Sequence, residues 1–169
     1  MDIADLNRAD PGDATAAFLD CCASTAWAAA MTEGRPYQEL AHLLADAEEQ
    51  WWELTSEDWM EAFASHPKIG ERWAGNDTHT AWSRDEQSAV GDDSELATAL
   101  AEANEAYEDR FGYTFIVFAS GKTGEEMLAL CRERLANDEL TELGMAATEQ
   151  ARITNLRLRK MLGGGTLNA

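Results

Sequence analysis

Apolar residues along this chain recur mostly at spacings of three and four, which is the period of an amphipathic helix. The pattern is clearest in the helix predicted between residues 37 and about 54. The apolar face of that helix would consist of Leu40, Leu43, Leu44, Ala47 and Trp51. Residues 1 to 12 lack this period and are predicted to form a loose lead-in. The whole pattern predicts an all-α fold of roughly eight or nine helices.

Helix boundaries are indicated by local capping patterns. A hydroxyl followed three residues later by an acid predicts a helix start, because the two side chains can satisfy free amides of the first turn. This pattern occurs at Thr55 with Asp58, at Ser83 with Glu86 and at Thr123 with Glu126. Ser24 and Asn137 are predicted to cap two further helices, and Gly112 is predicted to end a long Ala-rich helix.

One run departs from the helical pattern. It is the only β-branched and aromatic stretch of the chain, Tyr113-Thr114-Phe115-Ile116-Val117-Phe118-Ala119. Because a lone run cannot form a sheet, we interpret it as a short extended and buried segment near 113-119. Its backbone N–H and C=O groups must then find partners elsewhere, either in the protein or in a ligand.

Length and charge limit the possible partners. A chain of 169 residues is long enough for one domain, predicted over 1-162, with a flexible Gly-rich tail over 163-169. The formal net charge of −19 argues against nucleic acid and anionic membranes as partners, since both require a positive surface. No apolar run has the length of a membrane span and the N-terminus does not resemble a secretory signal, so we expect a cytoplasmic protein. Cys21, Cys22 and Cys131 are predicted to be buried and reduced.

Candidate chemistry is concentrated in the middle of the chain. His66 precedes Pro67, whose ring disfavours helical backbone at the residue before it, so the imidazole would project beyond a helix end. Ser83, Glu86 and Gln87 follow shortly afterwards. A histidine that exchanges protons near neutral pH, paired with a carboxylate, suits general acid and base catalysis. The competing interpretations are a surface histidine at a helix end and a simple capping box.

Two other features have structural interpretations. The three histidines, His42, His66 and His79, show no metal-ligand spacing, so no metal site is predicted. For Arg157, the structural alternative to a functional role is a solvated residue near a helix end, where it would balance the helix dipole and the acidic surface. On these residues alone, the sequence predicts a pocket with a histidine and a carboxylate and does not identify a substrate.

Four motifs, in order, resemble those of the OHCU decarboxylase family. They are His66-Pro67-x-Ile69-Gly70, Ser83-x-x-Glu86-Gln87, Phe111-Gly112-x-x-Phe115-Ile116 and Arg152-Ile153-Thr154-x-x-Arg157-Leu158. The resemblance covers most of the chain, roughly from Phe18 to Leu162, and includes Arg35-Pro36-Tyr37, where the family tends to have Arg-Pro-Phe. It implies an all-helical fold peculiar to the family, a homodimer, and catalysis without a metal or an organic cofactor.

The resemblance also implies an activity. The family converts 2-oxo-4-hydroxy-4-carboxy-5-ureidoimidazoline to (S)-allantoin, the last step of urate degradation to allantoin. By position, His66 is similar to the catalytic histidine of the family and Glu86 to its essential carboxylate. Substrate contacts are implied for Pro67, Ser83, Gln87, Phe115, Ile116, Val117, Phe118, Ala119 and Arg157. The segment from Phe115 to Ala119 would bind mainly through backbone groups, and Arg157 would hold an anionic or carbonyl edge.

Two alternatives from other classes remain open. One is a helical interaction module that keeps the fold without the activity. The other is a different cofactor-free lyase or hydrolase that acts on another small nitrogen heterocycle through His66 and Glu86. A protein that binds no ureide would favour the first alternative, and a substrate panel would separate the second.

Overall fold

Every regular element is a helix among the residues that a computed structural model describes, which are 1–69 and 94–163. These residues form α1 (Ile3–Arg8), α2 (Pro11–Cys21), α3 (Thr25–Glu33), α4 (Leu40–Trp52), α5 (Ser56–Ala64), α6 (Ser94–Phe111), α7 (Gly124–Arg134) and α8 (Glu139–Gly163). Residues 114–119 belong to no helix. The all-α prediction is confirmed, and none of the described helices is both long and apolar enough to cross a membrane.

Most of the predicted helix boundaries are confirmed. The Ser24 hydroxyl accepts from the Trp27 N–H at the start of α3. Thr123 and Glu126 form a reciprocal capping box at the start of α7. Gly112 follows α6 with a φ of +79°, a left-handed conformation that glycine adopts without steric cost.

The last helix begins with a different cap from the predicted one. Asp138, rather than Asn137, accepts from the Thr141 N–H at 2.9 Å. The Asn137 amide instead donates to Glu142 Oε2 at 2.8 Å. Both residue types are good N-caps, so the sequence could not show which of the two neighbours would take the position.

The N-terminal residues are helical, and the predicted loose lead-in is wrong. Asp2 and Asp5 form a capping box at the start of α1. At the other end of α1, Arg35 Nη1 donates to the carbonyls of Leu6 at 2.7 Å and Ala9 at 2.9 Å. This side chain satisfies the free carbonyls that every helix C-terminus exposes. A distant residue therefore stabilises α1, and local sequence gave no indication of it.

The chain divides into two compact units, residues 1–62 with the chain from residue 151, and residues 63–150. The prediction of a single domain over 1–162 with a tail over 163–169 stays a prediction; α8 ends at Gly163, and the residues after it lie outside the described residues. In the first unit α2 packs on α3 and α3 on α4. The Trp27 indole N–H donates to the Ala47 carbonyl at 3.0 Å and joins α3 to α4.

The second unit has an apolar core around α6 and α7. Its buried members are Ile69, Leu100, Ala103, Tyr107, Phe115, Val117, Ala119, Met127 and Cys131. The Tyr107 ring meets the Phe115 ring edge-on, with centroids 5.2 Å apart. Residues that directly follow His66 and residues of the 115–119 segment therefore contribute to one core.

Candidate active site

His66 lies just beyond the end of α5, as its position before Pro67 predicts. The helix ends at Ala64, and the His66 N–H donates to the Phe63 carbonyl at 3.1 Å. Pro67 is buried and His66 is half-buried. His66 therefore follows a helix end, as both interpretations of it predict, and its side chain is partly shielded from solvent.

Asn104 of α6 holds the backbone that follows His66. Its side chain is 2% exposed, and Nδ2 donates to the carbonyls of Ile69 at 3.1 Å and Leu100 at 2.9 Å. Ile69 itself lies in the core of the second unit. The loop from His66 to Ile69 is thus fixed at its far end by a buried hydrogen bond and by an apolar side chain.

Glu108 of α6 joins this loop to the start of the 115–119 segment. Its Oε2 lies 2.7 Å from Lys68 Nζ, and its Oε1 accepts from the Thr114 hydroxyl at 2.7 Å. Partial burial acts to raise the pKa of Glu108, but hydrogen bonds from Lys68 and Thr114 and the charge of Lys68 outweigh it, so the pKa is lowered. One carboxylate therefore connects the loop that follows His66 to the residue that precedes the 115–119 segment.

A Glu108→Gln variant should show that the ionised Glu108 carboxylate stabilises the folded protein. The lowered pKa means that its stabilisation is present above its ordinary value of 4.5 and is lost as the pH falls through the folded-state value. We expect the variant to be less stable than wild type by up to about 1 kcal/mol near neutral pH, because the ion pair is partly exposed. The deficit should vanish in acid, as urea unfolding across a pH series would show. Glu105→Gln, at an exposed position of the same helix, is the control; an equal deficit there would contradict the specific role of Glu108.

The 115–119 segment is buried, and charged side chains bind part of its backbone. Arg134 Nη1 donates to the Ile116 carbonyl at 2.7 Å, and Glu149 Oε2 accepts from the Phe118 N–H at 2.7 Å. Lys122 Nζ donates to the Phe118 carbonyl at 2.7 Å. Within the described residues, no hydrogen bond involves the N–H or the C=O of Val117. Protein side chains are therefore the partners of some of the backbone groups in this segment.

Beneath this segment lies a buried polar cluster that sequence reasoning missed. Arg134 is 4% exposed and donates to Glu142 Oε1 from Nε at 2.8 Å and from Nη2 at 2.5 Å. The Tyr107 hydroxyl also donates to this oxygen, and Asn137 donates to the other one. Burial acts to lower the pKa of Arg134, but its contacts with Glu142 and nearby charges raise it. The guanidinium is therefore charged, paired and rigidly held.

The periodicity of the helices contains the signal for this cluster. Met127 and Cys131 are buried on one face of α7, and Arg134 continues the spacing of four and three along it. Glu142 and Ala146 begin the buried face of α8 in the same way. A charged residue on the apolar face of a helix is a candidate for a buried ion pair, because an unpaired charge there is very costly.

Arg157 is fully buried, so its interpretation as a solvated residue is wrong. It lies in the first unit on the buried face of α8, which also includes Ile153 and Leu158. Burial raises the pKa of the nearby Cys22 thiol to about 11, and the charge of Arg157 opposes that shift. The three cysteines are buried, as predicted, and none of them forms a disulfide.

Ser83, Glu86 and Gln87 lie outside the described residues. Among the residues that are described, no group of three or more histidine, cysteine or acidic side chains is arranged to hold a metal ion. The described part of the predicted site thus comprises His66, Pro67 and the 115–119 segment in the second unit, and Arg157 in the first.

Comparison with known proteins decides the family. A family model described as OHCU decarboxylase matches residues 7–159. The chain belongs to the OHCU decarboxylase family. The 2-oxo-4-hydroxy-4-carboxy-5-ureidoimidazoline decarboxylase of Amia calva is 31% identical over 138 residues, which are 80% of this chain and 79% of that protein.

Two further comparisons extend this result. The Uric acid degradation bifunctional protein TTL of Arabidopsis thaliana is 35% identical over 155 residues, which cover 83% of this chain but 45% of that longer protein. A crystal structure of OHCU decarboxylase in the presence of (S)-allantoin matches with a TM-score of 0.78 at 32% identity, covering 92% of this chain and 99% of that chain. The predicted OHCU decarboxylase fold and enzyme class are confirmed.

Proposed function

We propose that this member of the OHCU decarboxylase family converts 2-oxo-4-hydroxy-4-carboxy-5-ureidoimidazoline to (S)-allantoin, without a cofactor and with protonation on one face. The observation that carries the proposal is the match to the decarboxylase crystal structure obtained in the presence of (S)-allantoin, which covers nearly all of that chain. We further propose that the enzyme is a cytoplasmic homodimer, which light scattering and cell fractionation would test.

The chemistry requires no electron-accepting cofactor. The substrate carries a carboxylate and a hydroxyl on one ring carbon, next to a ring carbon that is doubly bonded to nitrogen. When the bond to the carboxylate breaks, carbon dioxide leaves and its electron pair forms a carbon–carbon double bond. The former C=N electrons move to the nitrogen, which takes a proton. The resulting enol loses its hydroxyl proton and gains a proton at the neighbouring carbon, which gives allantoin.

The protein would therefore orient one carboxylate and transfer protons at defined positions. We assign the acid and base roles to His66 and Glu86 together, because an imidazole and a carboxylate can exchange protons near neutral pH. Ser83 and Gln87 would hold the ring by hydrogen bonds, and Arg157 would bind an anionic or carbonyl edge. Pro67 would contact the substrate and keep His66 out of the helix.

The backbone of the 115–119 segment would supply the remaining contacts. The Val117 N–H and C=O have no partner within the described residues, although Val117 is 5% exposed. A buried peptide group without a partner is costly, so a polar ligand that supplies one gains affinity. A cyclic ureide offers adjacent N–H and C=O groups that could pair with both.

Circular dichroism during urate breakdown would test the proposal. Uricase and hydroxyisourate hydrolase generate the unstable substrate in the cuvette, and the protein is added or left out. We expect rapid growth of an (S)-allantoin signal only when the protein is present. Allantoin that forms at the spontaneous rate and stays racemic would overturn the proposal and favour a non-catalytic module or an enzyme of another heterocycle.

A further inference from the structure

The two peptide groups that flank Val117 are each bound by a charged side chain. Arg134 donates to the Ile116 carbonyl, and Glu149 accepts from the Phe118 N–H, both at 2.7 Å. The negative charge of Glu149 also acts on Arg134 and favours its charged form, so the two side chains are neighbours. A cation thus binds the peptide group before Val117, and a neighbouring anion binds the peptide group after it.

Peptide planarity turns these two contacts into a constraint on Val117. The C=O and N–H of a trans peptide group point in opposite directions. Because Arg134 binds the Ile116 C=O, the N–H of Val117 in the same peptide group points away from Arg134. Because Glu149 binds the Phe118 N–H, the C=O of Val117 points away from Glu149. Neither the N–H nor the C=O of Val117 has a hydrogen bond within the described residues.

The charges also change the strength of the two groups. Hydrogen bonds in a chain polarise one another, more strongly at low dielectric. A guanidinium on the Ile116 carbonyl makes the Val117 N–H a better donor, and a carboxylate on the Phe118 N–H makes the Val117 carbonyl a better acceptor. Arg134 cannot easily turn away, since Glu142 holds its Nε and Nη2 and its guanidinium carbon lies 4.7 Å from the centre of the Phe115 ring.

We propose that Arg134 and Glu149 are positioning residues, which fix and polarise the peptide groups around Val117 so that its N–H and C=O bind the ureide group of the substrate. This inference rests on the proposed function. Arg134 and Glu149 would lie on the side of the 115–119 segment that faces away from the bound substrate. Neither touches the reacting atoms, so their effect is on binding and orientation.

Variants at Glu149 test the inference most cleanly, because this side chain is only half-buried. Glu149→Ala should raise KM about tenfold while kcat stays within about threefold of wild type, since an interaction that binds substrate and transition state equally is lost. Glu149→Gln keeps an acceptor and should raise KM less. Arg134→Lys should also raise KM, since a lysine cannot hold Glu142 and the Ile116 carbonyl in one planar fork. The matched controls are Glu139→Gln and Arg132→Lys, at exposed positions of the same two helices.

Amide NMR of the protein without ligand supplies a readout that general destabilisation would not give. We expect the Phe118 amide proton to move upfield in Glu149→Ala, and the Val117 amide nitrogen to move in Arg134→Lys, with smaller changes at other core amides. Titration with (S)-allantoin should move the Val117 amide in wild type and require about tenfold more ligand in Glu149→Ala. Unchanged KM and unchanged Val117 and Phe118 resonances would overturn the inference.

The two proposals fail in different ways. If wild type neither binds (S)-allantoin nor forms it, the proposed function fails, whereas the ligand-free resonances still report whether Arg134 and Glu149 polarise these peptide groups. If wild type is active and binds (S)-allantoin but the Glu149 variants match it in KM, only the positioning role is wrong.

Discussion

Replacement of His66 by asparagine should lower the turnover number on the order of 10²–10⁴-fold, the usual contribution of a general acid or base. Asparagine can still donate and accept hydrogen bonds, but it cannot exchange a proton near neutral pH. The His66 N–H bond to the Phe63 carbonyl comes from the backbone, so the local fold should persist. The initial rate of (S)-allantoin formation, followed by circular dichroism with substrate generated in the cuvette, measures the effect.

His42→Asn is the matched control for this variant. His42 lies at an exposed position of α4 in the first unit, and no catalytic role is proposed for it. We expect near-wild-type turnover for it and similar thermal midpoints for both variants. If His66→Asn keeps near-wild-type turnover, His66 has no part in proton transfer. If the thermal midpoint of His66→Asn falls together with its activity, the lower activity results from impaired folding and not from a lost proton transfer.

Local capping patterns predicted helix boundaries well because they are complete within a few residues. Ser24 caps α3 and Thr123 caps α7 through side chains that reach only the next turn. Where a boundary depends on a distant residue, the prediction failed. The helix expected from Tyr37 begins at Leu40. The Tyr37 carbonyl, which a helix would pair with the N–H four residues later, instead accepts from the Asn7 side-chain amide at 2.7 Å.

Some of the sequence pattern that resembles the family has a structural explanation. Arg35 binds the last carbonyls of α1, and the Tyr37 hydroxyl donates to Asp46 at 2.8 Å, so Arg35-Pro36-Tyr37 joins elements of the first unit. A motif can therefore identify a family without contributing to its chemistry. Of the predicted site, the sequence placed His66 beyond a helix end and the 115–119 segment outside the helices, and both placements are confirmed.

The buried charges could not be predicted by a rule that assigns charged residues to the surface. Arg134, Glu142 and Arg157 follow the apolar period of their helices, yet their charge suggested exposure. Whether such a residue is buried depends on a partner in another helix, and Glu142 lies eight positions after Arg134, in the next helix. The periodicity shows that a charge lies on the buried face, but only the tertiary structure shows what pairs with it.

Replacement of Glu142 by leucine should lower the free energy of unfolding by about 3–5 kcal/mol, the usual cost of leaving one buried charge without its partner. Glu142 is 0% exposed and accepts from Arg134, Tyr107 and Asn137. Its removal would leave the buried Arg134 guanidinium without an anionic partner. Urea unfolding measures the change, with Glu139→Leu, at an exposed position of the same helix, as the control.

The double variant Arg134→Met with Glu142→Leu separates the stability of the pair from its effect on the site. Because the double variant has neither charge, no buried guanidinium lacks its partner. The double variant should therefore recover much of the stability that Glu142→Leu alone loses. Its KM should nevertheless stay raised, because no cation then binds the Ile116 carbonyl and fixes the Val117 N–H. If Glu142→Leu were as stable as wild type, the buried pair would contribute nothing to folding. If the double variant recovered both stability and wild-type KM, the pair would serve folding alone, and the polarity of Val117 would be set by the segment itself.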